Sequence, residues 1–358
     1  MNSSLNIIIS GGGTGGHLTP AFAIADAFRL KNIDTKIRFI GSINGIESKL
    51  YKLRSEKYNL LKVVGLRRDF SLKGLFHNLV IFPFNFVHSF IKTYSIFNKF
   101  SPDIVIGTGG YSSAIPLFVA YLKGVKIFIQ EQNSVPGLVN KIFLKKAQSV
   151  FFGFEPKEVK GINYIISGNP TKITQINIDK IIERQRFTIF ILGGSQGSAP
   201  INNYFLKNYK KYTDKGIQLI WQCGENNVES IKSKVKSDYV ELHGFIHGIE
   251  KYYLNSDLVI ARSGALTLSE IANYGKASIL IPYPFAANNH QLFNAKFYKK
   301  NGASQIVEQH QLKHGILEKE VNRMIDSIDI IKNMEKNASL LSKSNANHNI
   351  VDEILKYV

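Results

Sequence analysis

Residues 7–17 of the chain read Ile-Ile-Ile-Ser-Gly-Gly-Gly-Thr-Gly-Gly-His, and this stretch indicates the fold. The apolar run predicts a buried strand over Asn6–Ser10, and a helical pattern follows from His17 to Leu30. Glycines at a strand-to-helix turn let backbone N–H groups approach a phosphate at the positive end of the helix. The stretch therefore predicts an α/β fold with a phosphate site in its first loop.

The same strand, glycine loop and helix occur again in the second half of the chain. There, a strand at Phe187–Leu192 precedes the glycine loop Gly193–Gly197, and the polar stretch 168–186 resembles a linker. Two α/β domains are predicted, each with a parallel sheet covered on both faces. Their other strands are expected at Lys36–Ile40, Tyr58–Val64, Asp103–Ile106, Val125–Ile129, Ser149–Phe152, Gln218–Trp221, Tyr239–Leu242, Leu258–Ile260 and Ser278–Ile281.

The glycine loops fit neither of the two common nucleotide motifs. Gly11, Gly13 and Gly16 match G-x-G-x-x-G, but no acid follows the second strand to hold a ribose. His17 stands where a Walker loop would need lysine. A turn without a ligand is the alternative. Because Gly107–Ser113 forms a further such loop, we expect the three loops to face one cleft.

The stretch Arg262–Glu270, RSGALTLSE, follows a predicted strand. Ser263 or Gly264 can cap the next helix, whose N-terminal amides suit a pyrophosphate. Glu270 can accept two hydrogen bonds from ribose hydroxyls. The alternative is a glutamate that only complements the helix dipole.

Composition limits the possible partners and sites. The 358 residues contain one cysteine, Cys223, which excludes an intrachain disulfide and a cysteine-based zinc site. The net charge is +18, of which +12 belongs to residues 1–170 (21 basic minus 9 acidic). Such an excess points to nucleic acid, an anionic membrane or phosphorylated ligands.

The most apolar region is 72–97, and basic residues lie near it. No signal peptide and no run of about 18 apolar residues is found. An amphipathic patch with flanking cations suits an anionic membrane surface, whereas a helix packed on the sheet is the alternative. Pro83 is expected to divide the helix into two pieces. The apolar positions are Leu72, Leu75, Phe76, Leu79, Phe82 and Phe86, and the cations are Arg67, Arg68, Lys73, Lys141, Lys145 and Lys146.

Six motifs in a characteristic order resemble the MurG family, the UDP-N-acetylglucosamine transferases of bacterial peptidoglycan synthesis. They are GGGTGGH at 11–17, GTGGYSS at 107–113, QEQN at 130–133, GNP at 168–170, GGSQG at 193–197 and RSGALTLSE at 262–270. The resemblance implies a GT-B fold, in which two Rossmann-like domains with parallel sheets face each other across a cleft. The resemblance implies an N-terminal domain over 1–168 that binds the acceptor and the membrane, and a C-terminal domain over 169–340 that binds the UDP-sugar. A helix over 341–358 is expected to cross back to the N-terminal domain.

The resemblance also implies the reaction and its place in the cell. N-acetylglucosamine would move from UDP-N-acetylglucosamine to the C4 hydroxyl of the muramoyl sugar of lipid I, with inversion, giving lipid II. The family needs no bound metal or other cofactor. Its members are peripheral proteins on the cytoplasmic face of the plasma membrane, and other cell-wall synthesis proteins are further expected partners. Another GT-B UDP-sugar transferase is the alternative.

Site residues are implied position by position. His17 is expected to be the catalytic base, because histidine titrates near neutral pH, or else to bind only the loop backbone. Three departures from the family pattern are Gln130 in place of His, Lys172 in place of Arg, and His290 in place of Gln. The substrate-binding residues are Thr14, Gly15, Gly16, Asn133, Lys172, Ser195, Ile246, Ala265, Leu266, Thr267, Leu268, Ser269, Glu270 and Gln291, and Gly109, Gly110 and Tyr111 form the acceptor loop.

Two other functions compete with the transferase. The net charge of +18 suits a nucleic-acid-binding protein, but no recognisable nucleic-acid motif accompanies it. A dinucleotide oxidoreductase is disfavoured by the missing acid after the second strand. We therefore expect no nucleic-acid partner.

Overall fold

The structure is a computed structural model that describes residues 4–31, 33–63, 65, 71–157, 159–171 and 186–358. The chain forms two compact units, Met1–Lys172 together with Ser344–Val358, and Ile173–Lys343. Three of the expected cationic residues, Arg67, Arg68 and Lys172, lie outside the described residues.

The first unit is built on a seven-stranded sheet in the order β3-β2-β1-β4-β5-β6-β7, and all neighbouring strands are parallel. The inner strands are fully buried because helices cover both faces. The strands are β1 (Leu5–Gly11), β2 (Thr35–Ser42), β3 (Lys57–Leu61), β4 (Ile104–Gly109), β5 (Lys126–Glu131), β6 (Ser149–Phe152) and β7 (Tyr164–Ile166).

Among its described residues, six α-helices of this unit precede the second unit in sequence. One face of the sheet packs on α1 and the other packs on α4, α5 and α6. The helices are α1 (Gly15–Leu30), α2 (Glu47–Leu50), α3 (Leu72–Phe76), α4 (Phe82–Phe100), α5 (Ala114–Leu122) and α6 (Leu138–Phe143).

The second unit has a six-stranded parallel sheet in the order β10-β9-β8-β11-β12-β13. Its strands are β8 (Thr188–Leu192), β9 (Gln218–Gln222), β10 (Val240–His243), β11 (Leu258–Ala261), β12 (Ser278–Leu280) and β13 (Ser304–Ile306). Its helices are α7 (Ala199–Asn208), α8 (Lys210–Thr213), α9 (Val228–Lys232), α10 (Glu250–Leu254), α11 (Ala265–Asn273), α12 (His290–Lys300), α13 (Ile316–Asp326) and α14 (Ile328–Leu340).

The sequence pattern located eleven of these thirteen strands and missed β7 and β13. Both missed strands have three residues and lie at the edge of a sheet. Neither is a fully buried apolar run, because β7 has two exposed residues and β13 is Ser-Gln-Ile, so the pairing with a neighbouring strand defines them.

The apolar segment 72–97 forms a helical stretch with two different faces. As expected, the segment contains two α-helices, and Pro83 lies in the first turn of the second one, α4. A π-helical turn over His77–Ile81 joins α3 to α4. Phe86 stacks with Phe90 and Phe118 on the core.

The apolar positions of the expected amphipathic patch include Phe82 and Phe86. Both are half-buried, whereas Leu79, Phe84 and Ile91 expose 67%, 72% and 63% of their surface. By length and composition the stretch Lys73–Phe100 could cross a membrane, since the mean hydropathy of its most apolar window is 1.3. The prediction that no segment spans a membrane was based on uninterrupted apolar runs alone, and this stretch is interrupted by polar residues.

The last helix of the chain, α15 (Ala346–Leu355), belongs to the first unit. Ile350, Val351 and Ile354 are fully buried in the same core cluster as Ile24 and Phe28 of α1. The preceding helix, α14, ends at Leu340 in the second unit, and α15 lies within the range 341–358 that the resemblance implied for a helix. Burial of this apolar stripe stabilises the first unit against unfolding.

Replacing Ile350 by alanine should destabilise the chain by about 2–4 kcal/mol, because the residue is completely buried and its removal leaves a cavity. Urea unfolding followed by circular dichroism measures this loss. Leu340→Ala is the control, since Leu340 is 75% exposed and its loss should change stability by less than about 0.5 kcal/mol. Equal effects of the two substitutions would contradict the packing of α15 on α1.

Candidate active site

The first glycine loop is held open at the carboxyl edge of the first sheet. The helix α1 begins at Gly15, and the side chain of its N-cap residue, Thr14, forms no capping hydrogen bond. The Gly13 N–H donates to Oε2 of Glu47 at 2.9 Å, and the Ser42 N–H donates to Oε1 at 2.8 Å. This fully buried carboxylate ties the loop to the end of β2 and leaves the N-terminal amides of α1 for another ligand.

The second glycine loop lies directly beside the first. Gly109 and Gly110 have φ values of 100° and 81°, which side chains rarely adopt. A Cβ on Gly110 would lie 2.2 Å from the Gly12 carbonyl oxygen, and one on Gly109 would lie 2.8 Å from Nδ1 of His17. Only glycine permits this approach. Tyr111, the third residue of the expected acceptor loop, is 44% exposed.

His17 is fixed through one of its two ring nitrogens. Nδ1 lies 2.8 Å from Oε1 of Gln132 and 3.1 Å from the carbonyl oxygen of Thr108. The Thr108 hydroxyl donates to the His17 carbonyl at 2.7 Å, which joins the start of α1 to β4. Among the described residues, no hydrogen bond reaches Nε2. The ring is therefore oriented with one nitrogen available for proton transfer.

Asn133 is positioned by a buried carboxylate at the end of β5. Oε1 of Glu131 accepts from the Asn133 backbone N–H at 3.0 Å and from its Nδ2 at 3.3 Å. The other oxygen accepts from the Gly137 N–H and from Nδ2 of Asn140. Gln130 is completely buried, so this departure from the family pattern lies behind the surface of the site.

In the second unit, α11 presents an uncapped N-terminus. Gly264 is its N-cap residue and supplies no side-chain bond, so the first amides of the helix have no intrahelical partner. The Ser263 hydroxyl donates to the Gln291 carbonyl at 2.8 Å, and Oε1 of Gln291 accepts from the Tyr283 N–H at 3.0 Å. The expected pyrophosphate segment and Gln291 are thereby brought together. Of residues 265–269, Leu266 and Thr267 are half-buried, and Ala265, Leu268 and Ser269 are buried.

Glu270 is half-buried one turn into α11. The Tyr253 hydroxyl donates to its Oε2 at 2.9 Å. Burial raises the pKa of the Glu270 carboxyl to about 7, although the bond from Tyr253 opposes this shift. A half-buried carboxyl of this kind can accept hydrogen bonds from hydroxyl groups of a ligand.

Ile246 lies in the loop after β10, and its N–H donates to Oε1 of Gln222 at 3.1 Å. The Ile246 N–H is therefore already engaged within the second unit. Nε2 of Gln222 donates to the Gly194 carbonyl at 3.2 Å, which links this loop to the third glycine loop. Ser195 is exposed at the tip of that loop. His290 is half-buried and its Nδ1 contacts the Ala287 carbonyl, away from the Gln291 bonds.

Sequence reasoning missed three residues that shape these loops. They are Glu47, Tyr253 and Gln132, whose partners Gly13, Glu270 and His17 are 34, 17 and 115 positions away. Of the three, only Glu47 offered a sequence signal, since it follows Gly45 closely after the end of a predicted strand. A charged residue buried at such a place needs hydrogen-bond partners. Among the described residues, no group of three or more His, Cys, Asp or Glu side chains could hold a metal ion.

Comparison with known proteins assigns both halves of the chain. Residues 7–152 match the glycosyltransferase family 28 N-terminal domain, and residues 188–353 match the C-terminal domain of that family. The crystal structure of Acinetobacter baumannii MurG superposes with a TM-score of 0.80 at 25% identity, covering 98% of this chain and 99% of that one. The expected GT-B fold is confirmed.

Two curated relatives are similar over nearly their whole length. The proteins from Flavobacterium psychrophilum and Chlorobium phaeobacteroides are each 35% identical over 98% of this chain, and 97% and 99% of their own lengths are covered. Both are named UDP-N-acetylglucosamine--N-acetylmuramyl-(pentapeptide) pyrophosphoryl-undecaprenol N-acetylglucosamine transferase. The chain therefore belongs to glycosyltransferase family 28 and, within it, to the MurG family.

Proposed function

We propose that this chain transfers N-acetylglucosamine from UDP-N-acetylglucosamine to the C4 hydroxyl of the muramoyl sugar of lipid I, and so forms lipid II. The observation that carries the proposal is full-length similarity to transferases named for this donor and acceptor. The geometry supports it, because each sheet carries at its carboxyl edge the groups that the transfer requires. Transfer of radiolabel from UDP-N-acetylglucosamine to a lipid I analogue tests it directly.

The donor binds to the second unit in this proposal. The N-terminal amides of α11 hold the pyrophosphate, and Glu270 accepts hydrogen bonds from the ribose hydroxyls. The Ile246 carbonyl faces the uracil, and Ser195 lies near the pyrophosphate. Gln291 reaches the sugar, since Nε2 has no hydrogen bond to any other described residue. This arrangement places positive N–H groups where the departing UDP gains charge.

The acceptor is activated on the first unit. Nε2 of His17 takes the proton of the C4 hydroxyl as its oxygen attacks the anomeric carbon of the donor. The bond from that carbon to the phosphate oxygen breaks, and UDP leaves with the electron pair. Because attack and departure occur on opposite faces of the sugar, the anomeric configuration inverts. Asn133 contacts the N-acetylglucosamine portion, and Gly109, Gly110 and Tyr111 line the acceptor side.

Docking to an anionic membrane completes the proposal. Leu79, Phe84 and Ile91 expose apolar side chains on the sheet face that α4, α5 and α6 cover. Lys141 and Lys145 flank the exposed Leu138 and Ile142 of α6 on the same face. The other stripe of α4 is packed on the core, which suits a helix lying on a bilayer surface. The polyprenyl tail of the acceptor stays in that bilayer, on the cytoplasmic side of the plasma membrane.

Glu270→Ala should weaken UDP binding by about 1.5–3 kcal/mol, or roughly 10- to 150-fold, because charge-assisted hydrogen bonds to the ribose are lost. Titration calorimetry measures the UDP affinity of the variant and of the wild type. Glu320→Ala is the matched control, since it also removes a half-buried carboxylate from a helix, one that pairs with Arg323 on α13 and belongs to no expected site. Unchanged UDP affinity in folded Glu270→Ala would refute the ribose assignment.

The pH dependence of the same affinity gives an independent check. The pKa of Glu270 is about 7, and only the ionised carboxylate accepts from both ribose hydroxyls. UDP affinity should therefore rise as the pH increases from 6 to 8. Glu270→Gln should lose this part of the dependence, while any titration of the UDP phosphate persists in both proteins.

His17→Ala should lower kcat by about 10²-fold or more and change UDP-N-acetylglucosamine affinity little, because the general base is lost while the donor site is intact. Steady-state transfer to a lipid I analogue, together with donor titration, separates the two effects. Near-full kcat with a higher acceptor KM would make His17 a binding residue instead.

Replacing Phe84 and Ile91 together by serine should release the protein from anionic vesicles, because two exposed apolar contacts are lost from α4. Vesicle sedimentation measures this, and UDP binding should stay unchanged. Raised salt should weaken wild-type binding without abolishing it, since salt screens the lysines and not the apolar contacts. The control pair Leu30→Ser and Leu53→Ser changes exposed leucines away from α4 and should bind vesicles normally. Retention of the Phe84/Ile91 variant would place the docking face elsewhere.

A further inference from the structure

Three buried amide side chains form a chain behind His17. They are Gln132, Gln130 and Asn169, which expose 2%, 0% and 1% of their surface. Nε2 of Gln132 donates to Oε1 of Gln130 at 2.5 Å, and Nε2 of Gln130 donates to Oδ1 of Asn169 at 3.1 Å. Such a buried network is stable only when every donor faces an acceptor. The orientation of each amide, with its oxygen on one side and its nitrogen on the other, is therefore determined by its neighbours.

Two backbone carbonyls fix that direction. The Thr108 carbonyl lies 2.8 Å from Nε2 of Gln132, and the Gln132 carbonyl lies 3.1 Å from Nδ2 of Asn169. A carbonyl oxygen can only accept, so each amide must turn its NH₂ group toward these oxygens. The Gln132 side chain then presents its oxygen, and not its nitrogen, to the His17 ring at 2.8 Å.

The acceptor at His17 decides which ring nitrogen carries the proton. Oε1 of Gln132 and the Thr108 carbonyl both face Nδ1, and both only accept. In the neutral ring the proton therefore lies on Nδ1, which leaves the lone pair on Nε2. The tautomer that suits a general base is thus selected by residues of β4 and β5.

We propose that Gln132 is a positioning residue, whose amide holds His17 in the Nδ1–H tautomer and aims Nε2 at the acceptor hydroxyl. The proposal rests on the proposed function for the identity of the reaction, but the tautomer itself is independent of it. Gln132 touches the ring and not the reacting atoms. Gln130 and Asn169 hold the Gln132 amide in one orientation, because Gln130 accepts from Nε2 of Gln132 and itself donates to Asn169.

The same chain accounts for the family departure at Gln130. A neutral imidazole and an amide each offer one donor and one acceptor along a hydrogen-bond chain. Glutamine can therefore replace histidine at this buried position and still accept from Gln132 and donate to Asn169. The substitution preserves the direction of the chain.

The elements around the ring contribute few titratable groups. The carboxylates are Glu47 and Glu131, whose oxygens accept from the backbone and amide N–H groups of their own loops. Tyr111 of the neighbouring loop is exposed. The hydrogen bonds at Nδ1 come from neutral groups only, so the tautomer depends on them and not on a paired charge.

NMR of the full chain with ¹³C,¹⁵N-labelled histidine tests the tautomer directly. The chain has nine histidines, and the His17 signals are identified as those missing from His17→Gln. At pH 8 the ¹⁵N shifts should show a protonated Nδ1 and an unprotonated Nε2 in the unliganded protein. An Nε2–H ring would overturn the proposal, whatever reaction the protein catalyses.

Gln132→Met then tests positioning, because methionine keeps the length of the side chain and removes the acceptor. We expect kcat to fall about 10- to 100-fold while the KM for UDP-N-acetylglucosamine stays within about twofold, since only the orientation of the base is lost. The control is Asn6→Leu, which removes side-chain hydrogen bonds to the carbonyls of Phe100 and Ser101 at the amino end of β1. It should alter stability and leave kcat unchanged.

Gln132→Glu separates a positioning role from a merely structural one. It keeps an acceptor for Nδ1–H and adds a negative charge, which stabilises the protonated ring. The acid limb of the kcat profile should move to higher pH by about one unit, with more activity than Gln132→Met at high pH. Full kcat in Gln132→Met, or an unmoved limb in folded Gln132→Glu, would refute the proposal. Absence of transfer by the wild type would instead refute the proposed function and leave the NMR result standing.

Discussion

The first unit depends on the approach of two glycine loops without side chains between them. A Cβ on Gly11 would lie 1.8 Å from Oγ1 of Thr108, and one on Gly110 would lie 2.2 Å from the Gly12 carbonyl oxygen. Because β1 and β4 are parallel neighbours, their carboxyl ends bring both loops to one place. The close contact lets the start of α1 reach β4, so that His17 meets Thr108 and Gln132.

Each unit stabilises its loops with a buried charge of opposite sign. In the first, the carboxylate of Glu47 gathers backbone N–H groups from Gly13 and Ser42. In the second, the guanidinium of Arg262 donates to the carbonyls of Ile281 and Pro282 and to hydroxyl and amide oxygens of Ser198 and Gln309. A charge with several hydrogen-bond partners is tolerated in a core, whereas removal of one partner is costly. These charges hold the irregular backbone at the ends of the strands in a fixed shape.

The helix α4 shows how one segment serves two environments. Phe86 and Phe90 pack against Phe118, while Phe84 and Ile91 face outward. Such a helix has apolar residues around most of its circumference, so its sequence lacks the single stripe of an ordinary surface helix. The packed stripe fixes it to the sheet and leaves the other stripe exposed.

The sequence by itself determined the alternation of strands and helices, the glycine loops at strand ends, and the helix that begins after Gly264. These features depend on local spacing and on conformations that glycine alone adopts readily. Only the tertiary structure decided which side of α4 is covered, that the Ile246 N–H is taken by Gln222, and that Gln132 orients His17. Those contacts join residues 24 to 115 positions apart, and their donors and acceptors are matched only after the parallel strands have set their register. The hydrophobic pattern along the chain does not predict that register.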